Sequence, residues 1–265
     1  MPLDLSELFG EWRHHPSDDN RNVRVIRGGD GHLKLQVRVR CGVFQWEYDG
    51  RPDGSTPYGY PSLLEFYSER VQQLEHQDGS SEALRLTRAQ VDEISEEIMD
   101  YYQRRVLFFR LGEYERAWAD AKHNLSLMDL IRDHCDDADA ILQHEKWRAF
   151  VTMDRTRAEA LVLAQQGAYV DAIRKLDEGV EEISDYFREH GREDFIELSQ
   201  EIAALKELKL QLRENYDIPL TRDEVLDGLR EEQAKAIADE DYERAARLRD
   251  EIMNFKNEPP PVEGH

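Results

Sequence analysis

The chain has 265 residues and a mass of 31.1 kDa, enough for one large or two modest domains with a real core. Its 57 acidic residues outnumber 35 basic ones for a formal net charge of −22, yet 40% of the sequence is hydrophobic, including 11 Tyr, 9 Phe and 4 Trp. That composition excludes a disordered chain and argues against broad binding to a phosphate backbone; it suits amphipathic helices with heavily charged outer faces.

The first 60 residues differ from the rest. They carry 8 basic and 9 acidic side chains, whereas the remaining 205 carry 27 and 48. Leu33, Leu35, Val37 and Val39 alternate with Lys34, Gln36, Arg38 and Arg40, the two-residue period of a half-buried strand. Val23–Arg27 precedes it across the turn sequence Gly28-Gly29-Asp30-Gly31, and Val43–Tyr48 follows Gly42 with Phe44, Trp46 and Tyr48 on one side. A three-stranded antiparallel meander is the expectation, closed by the turn-forming run Asp49–Gly54. The aromatic face reads as core rather than as a platform for stacking bases. On the polar face Lys34, Arg38 and Arg40 project together, with Arg24 joining from the neighbouring strand. They form a candidate basic patch for an acidic partner, for nucleic acid, or for the chain's own helices.

From Pro61 the period becomes helical, and a helical-hairpin body is expected over 61–215. Pro61–Tyr67 opens a helix with proline at a tolerated position. Thr87-Arg88-Ala89-Gln90 is a capping box before a long helix carrying Val91, Ile94, Ile98, Tyr101 and Phe108, stopped by Gly112. Further helices are expected over Tyr114–Ile131, Asp139–Gln165, Tyr169–Glu189 and Glu193–Arg213. Tyr216–Leu220 reads as a linker and Thr221–Glu224 as a second capping box. That box begins a last hairpin over 221–256, before an extended, flexible tail over 257–265 with three consecutive prolines. The fold class is therefore α+β and mostly α: a small N-terminal β domain over 1–60, irregular helical hairpins, and a C-terminal hairpin.

One local pattern recurs. Leu111-Gly112-Glu113-Tyr114 leads to Ala117, Gln166-Gly167-Ala168-Tyr169 to Ala172, and Glu240-Asp241-Tyr242 to Ala245. Each has a helix end, a tight turn, a tyrosine, and an alanine three residues on that lets two helices approach. The first two resemble tetratricopeptide-type hairpin turns. Their tyrosines are 55 residues apart, however, against the ~34 of a regular array, so hairpins of unequal length are expected.

The last hairpin is the most specific segment. Leu226, Leu229, Gln233 and Ala236/Ile237 form one stripe, and Ala245, Leu248, Ile252 and Phe255 the facing one. The run from Leu229 to Ile252, with its complete Ala245-Ala246-Arg247-Leu248-Arg249-Asp250 core and Tyr242 in register, closely resembles the UVR motif. This helical hairpin is known from excinuclease subunits B and C, where it joins the two proteins, and from Clp-type chaperones and activators of protein-arginine kinases. The resemblance implies a protein contact through Tyr242, Ala245, Ala246, Leu248, Arg249 and Asp250. Ala246 and Leu248 would pack, and Arg249 and Asp250 would supply directional polar contacts. Repair subunits, Clp-type chaperones and kinase-like proteins are the partner classes it implies, and self-association is compatible with it. At Gln233 the family usually has an apolar residue; a polar group there weakens the seam or specifies a partner.

Other chemistry is weakly signalled. His14-His15 lies in a polar loop, and His123, His134 and His144 show no metal-ligand spacing. Asp49 and Asp53 mimic a calcium loop whose closing glutamate is replaced by Tyr60. Cys135 follows His134 at a helix end with acidic caps, and with Cys41 makes at most one pair, no disulfide framework. No phosphate-binding loop, nucleophile elbow or helicase motif occurs. The expectation is an adaptor or scaffold, without catalytic residues, metal or cofactor, that binds proteins through the hairpin. The alternatives are an accessory factor of nucleotide excision repair meeting DNA through the basic strand face, and an enzyme using an acidic metal site. The longest apolar run, Ala160–Ala164, is far short of the ~20 residues of a membrane span. The acidic start Met1–Glu7 lacks the features of a signal peptide. A cytoplasmic location is the expectation.

Overall fold

The computed structural model describes residues 5–78 and 84–257, so nearly all of the expected tail lies outside the described residues. The chain divides into two compact units at Leu212/Arg213.

The first unit opens with a short helix, α1 (Ser6–Glu11), and three strands, β1 (Val23–Arg27), β2 (Leu33–Val39) and β3 (Gly42–Glu47), paired antiparallel in the order β1-β2-β3. The meander expected from the alternation is present. Helices follow: α2 (Leu63–Asp78), α3 (Arg88–Leu111), α4 (Tyr114–His134), α5 (Ala138–Glu145), α6 (Arg148–Gln165), α7 (Tyr169–Glu189) and α8 (Gln200–Tyr216), which crosses into the second unit. The second unit holds α9 (Arg222–Ala238) and α10 (Tyr242–Asn257).

Alternation decides which sheet face meets the helices. Val23, Leu35, Trp46 and Tyr48 are buried in one cluster with Leu107 and Phe108 of α3, Ala117 of α4 and Ala158 of α6. Tyr48 meets Phe108 edge to face at 5.4 Å. Phe44 stacks on Trp46 but remains 55% exposed at the end of that face. The change of composition near residue 60 thus marks the passage from sheet to helices within one unit. The other sheet face is polar, and α1, too short to announce itself by periodicity, lies against it.

Both capping boxes form. Thr87 accepts from the Gln90 amide, and the Gln90 side chain accepts from that of Thr87 at 2.8 Å; Thr221 and Glu224 repeat the pattern. The single helix expected over Asp139–Gln165 is two, interrupted at Lys146 and Trp147. The break is held by other partners: the Tyr186 hydroxyl donates to the Glu145 carbonyl at 2.9 Å, and Arg148 donates twice to the Glu145 carboxylate at 2.6 Å. Likewise the helix expected from Glu193 begins only at Gln200. A 3₁₀ turn (Glu193–Phe195) comes first, and the Ser199 hydroxyl accepts from the Ile202 amide to start α8.

Core packing follows the helix order. Leu63 and Tyr67 of α2 share a cluster with Val91 and Ile94 of α3 and Leu127 and Ile131 of α4. Ala160 and Ala164 of α6, Leu176 and Ile183 of α7, and Ile202 and Leu205 of α8 form another. Ion pairs are buried between them. Arg104 donates to both Asp120 oxygens at 2.7 and 3.0 Å, and to the carbonyls of Glu47 and Gly50 at 3.0 and 2.7 Å. Arg105 pairs through Nε with Asp154 at 2.9 Å. Burial pushes the Asp120 and Asp154 carboxyls above the usual carboxylate range, against the opposing pull of the two arginines.

The α6–α7 packing needs a glycine. A Cβ at Gly179 would stand 2.3 Å from Thr156 Cγ2 and 2.6 Å from Thr156 Oγ1, inside van der Waals contact with a fully buried side chain. Alanine is the better helix former by about 1 kcal/mol, but overpacking costs about 1–3 kcal/mol. Gly179→Ala should therefore lower the urea midpoint of this unit; an unchanged or raised midpoint would contradict the close approach.

Candidate functional site

The second unit is built on one seam. Ala236, Ala245 and Leu248 are buried together with Leu229 packed against them, and Leu226 and Ile252 are buried nearer the open end. Two alanines facing across the turn end let α9 and α10 approach closely there. Gln233 sits in the seam, half-buried, and its Nε2 donates to the Ala245 carbonyl at 3.3 Å. It ties the two arms through a polar contact where an apolar residue would simply pack. At the open end Arg222 lies over the Phe255 ring at 5.3 Å and donates to the Lys256 carbonyl at 3.2 Å. At the start of α9, Arg213 pairs with Glu224 and donates to the Pro219 carbonyl.

The turn repeats a geometry that also ends α3 and α6 in the first unit. Gly112, Gly167 and Glu240 all take left-handed conformations, with φ of 73°, 79° and 59°. In each case the next amide reaches back to a carbonyl five residues earlier: Glu113 to Phe108 at 2.9 Å, Ala168 to Leu163 at 2.9 Å, and Asp241 to Ala236 at 2.8 Å. These are Schellman-type helix ends. The three alanines that follow, Ala117, Ala172 and Ala245, are all buried. The sequence recurrence therefore has one structural meaning, a tight stop followed by a close helix pair.

The residues singled out in the hairpin separate by role. Ala245 and Leu248 are in the seam, whereas Ala246 faces solvent one position off it. Tyr242 is 68% exposed. Arg249 and Asp250, both exposed, bond to each other at 2.8 Å rather than to the opposing arm. Tyr242, Ala246, Arg249 and Met253 recur at four, three and four residues, one stripe of α10. Helical geometry places Ile237 of α9 on the same side of the hairpin. Ile237 and Met253 are 52% and 57% exposed. The opposite side carries the cross-helix bridge from Arg244 to Glu232 at 3.0 Å. Ile237 and Met253 were not singled out from sequence as contact residues, although the spacing from Tyr242 to Met253 was there to be counted.

Residues 223–258 match the family model of the UvrB/uvrC motif, UVR. The C-terminal hairpin is a UVR motif. The match spans this hairpin alone, and comparison with curated proteins and solved structures finds nothing similar to the chain.

Outside the UVR hairpin, the candidate basic patch is largely engaged within its own layer. Lys34, 7% exposed, pairs with Asp30 at 2.6 Å and with Glu47; Arg38, 5% exposed, lies over the Phe9 ring at 3.9 Å and donates to the Trp12 carbonyl at 3.0 Å. Arg24 stacks on the Trp12 ring at 3.9 Å and donates to Gln36 at 2.9 Å, and Gln36 donates to Gln45 at 2.8 Å. Arg40 alone of the four is exposed. The histidines are held apart as well. His123 bonds Glu97 at 2.7 Å and stacks on Tyr101, while His144 bonds Ser95 at 2.8 Å. No described helix is long and apolar enough to cross a membrane.

Glu240 is the only one of the three turn positions without glycine, and a left-handed non-glycine residue costs about 1–2 kcal/mol, less the greater chain entropy of glycine. Glu240→Gly should raise amide hydrogen-exchange protection across α9 and α10 about two- to fivefold. Unchanged or reduced protection would mean the turn is not held in this conformation.

Proposed function

We propose that the chain is a non-enzymatic adaptor that docks a protein partner on one face of its UVR hairpin, through Tyr242, Ile237 and Met253 with Arg249 among them. The observation that carries this is the division of labour in the hairpin. The seam is filled by the hairpin's own small and aliphatic residues, so three large apolar side chains on one side are left for something else. Exposed apolar residues are ordinary when scattered; clustered on one face of a small module they mark a contact surface. Tyr242 has the size and the polar tip that interface anchors share.

The chemistry of the partner follows from the rim. Asp239, Glu240, Asp241 and Glu243 surround Tyr242 at the turn, so the complementary surface is an apolar pocket bordered by basic side chains. The partner classes of the UVR family are the first to test: a repair subunit, a Clp-type chaperone or a kinase-like protein. The repair reading survives as a choice of partner rather than as direct DNA contact. Arg24, Lys34 and Arg38 already have aromatic, carboxylate or amide neighbours, which leaves Arg40 as the open charge of the strand face.

The test is affinity capture from cell lysate read by mass spectrometry, with variants chosen by face. Tyr242→Ala/Met253→Glu alters exposed positions and should keep the wild-type circular dichroism spectrum while the captured partner falls at least about tenfold, the scale of one interface anchor. Glu232→Gln/Arg244→Gln on the opposite side should retain it. Equal capture by all three proteins would remove the hairpin face from the account.

A further inference from the structure

The free edge of the sheet is a second contact surface, independent of the hairpin. β3 is an outer strand of the order β1-β2-β3, and its register fixes where its backbone groups point. Tyr48 donates its amide to the Leu33 carbonyl at 3.2 Å, so Trp46 and Phe44, opposite Leu35 and Val37, also turn their amides and carbonyls toward β2. Val43, Gln45 and Glu47 turn theirs outward. At Glu47 the outward groups are met: the amide donates to the Pro52 carbonyl at 2.8 Å, and the carbonyl accepts from Arg104 at 3.0 Å. At Val43 and Gln45 no described residue meets them.

An open edge pairs with any strand that reaches it unless something blunts it, and charged side chains are a common means. β1, the other edge, carries Arg24 and Arg27. The run Gly42–Trp46 of β3 carries no charge, in a chain that is 35% charged. Phe44 at its centre is 55% exposed. Charge also differs by region. The first 60 residues hold 8 basic and 9 acidic side chains and the rest hold 27 and 48, so the net −22 lies almost wholly outside the segment that builds the sheet. Two copies of this chain repel through their helices and hardly at all through their sheets.

We propose that β3 pairs antiparallel with β3 of a second copy of this chain, joining two three-stranded sheets into one. The two-fold axis passes between the two Phe44 residues. Val43 of each copy then faces Gln45 of the other, and each such pair exchanges two hydrogen bonds. Together these bonds satisfy every outward group left open at Val43 and Gln45 in both copies. The two Phe44 side chains meet at the non-hydrogen-bonded position, where facing side chains are closest, and cover each other's exposed surface. The loop carrying Pro52 ends the ladder at Glu47, so pairing is confined to residues 42–46 and the association is weak. The β1 strands, with their arginines, become the outer edges and stop further growth. An extended segment of another protein would meet the same amides; the near-neutral surroundings and the match of this edge to itself single out a second copy.

The test is sedimentation of the full chain in about 0.5 M salt, which screens the residual repulsion. The weight-average mass should climb from 31.1 kDa toward twice that value between about 5 µM and 1 mM. Phe44→Lys sets two like charges opposite each other while making the chain less acidic, and should weaken association at least about tenfold. Gln45→Pro removes an outward amide at an edge position that proline accepts, and should do the same. Amide exchange at Val43 and Gln45 in the wild-type protein should slow at least about threefold over that concentration range; it decides alone if neither variant keeps the wild-type circular dichroism spectrum. Tyr242→Ala/Met253→Glu should associate like the wild type, which separates this edge from the hairpin. A monomer at every concentration, association unchanged by the folded edge variants or lost with the hairpin variant, or exchange at Val43 and Gln45 independent of concentration would each overturn the proposal.

Discussion

The Arg104 guanidinium is the contact on which the first unit turns. It projects from α3, takes both oxygens of Asp120 on α4, and reaches the carbonyls of Glu47 and Gly50 where β3 ends. One side chain therefore joins a helix pair to the exit of the sheet. Burying an ion pair costs several kcal/mol unless its remaining hydrogen-bonding capacity is met, and here carbonyls meet it. The polar pair fixes where the sheet sits; the apolar cluster around Leu35, Phe108 and Ala117 then packs against a defined partner. Arg105, next in sequence, points elsewhere and pairs with Asp154 of α6.

The second unit solves a different problem. Two arms of about 16 residues bury too little surface to be stable by size alone, and the hairpin concentrates what it has. Alanines close the turn end, a glutamine bridges the arms, and Arg222 covers Phe255. Packing the seam with small residues keeps the larger apolar side chains outside it. The buried seam and the exposed apolar side chains thus lie on different sides of the same two helices. A substitution at Leu248 reports on the fold, whereas one at Tyr242 reports on the surface.

Much of this was legible in the sequence where the signal is local. The alternation from Leu33 to Arg40, the capping boxes at Thr87 and Thr221, and the stops at Gly112 and Gly167 depend on neighbours within a few residues, and all appear where expected. The UVR hairpin was legible because its seam and turn sit within one short run. What was not legible depends on distant partners. The break after Glu145 is held by Tyr186, 41 residues on, and Phe9 of α1 and the Trp12 that follows it lie against the side chains of Arg38 and Arg24. Alternation correctly put Arg24, Lys34 and Arg38 on the polar face, but nothing local announced that Phe9 and Trp12 cover it. In the hairpin, Ala246 and Leu248 looked equivalent as packing residues; only the direction of the facing arm separates a buried position from an exposed one two residues away.

In the proposed docking mode, recognition belongs to one face of the hairpin and folding to its seam. Site-specific photocrosslinking in cells tests it directly, with a photoreactive phenylalanine placed at Tyr242 in one protein and at Arg247, off that stripe, in another. Docking through that face predicts one discrete crosslinked species from position 242 and none from position 247. Crosslinks to the same protein from both positions, or from 247 alone, would contradict it.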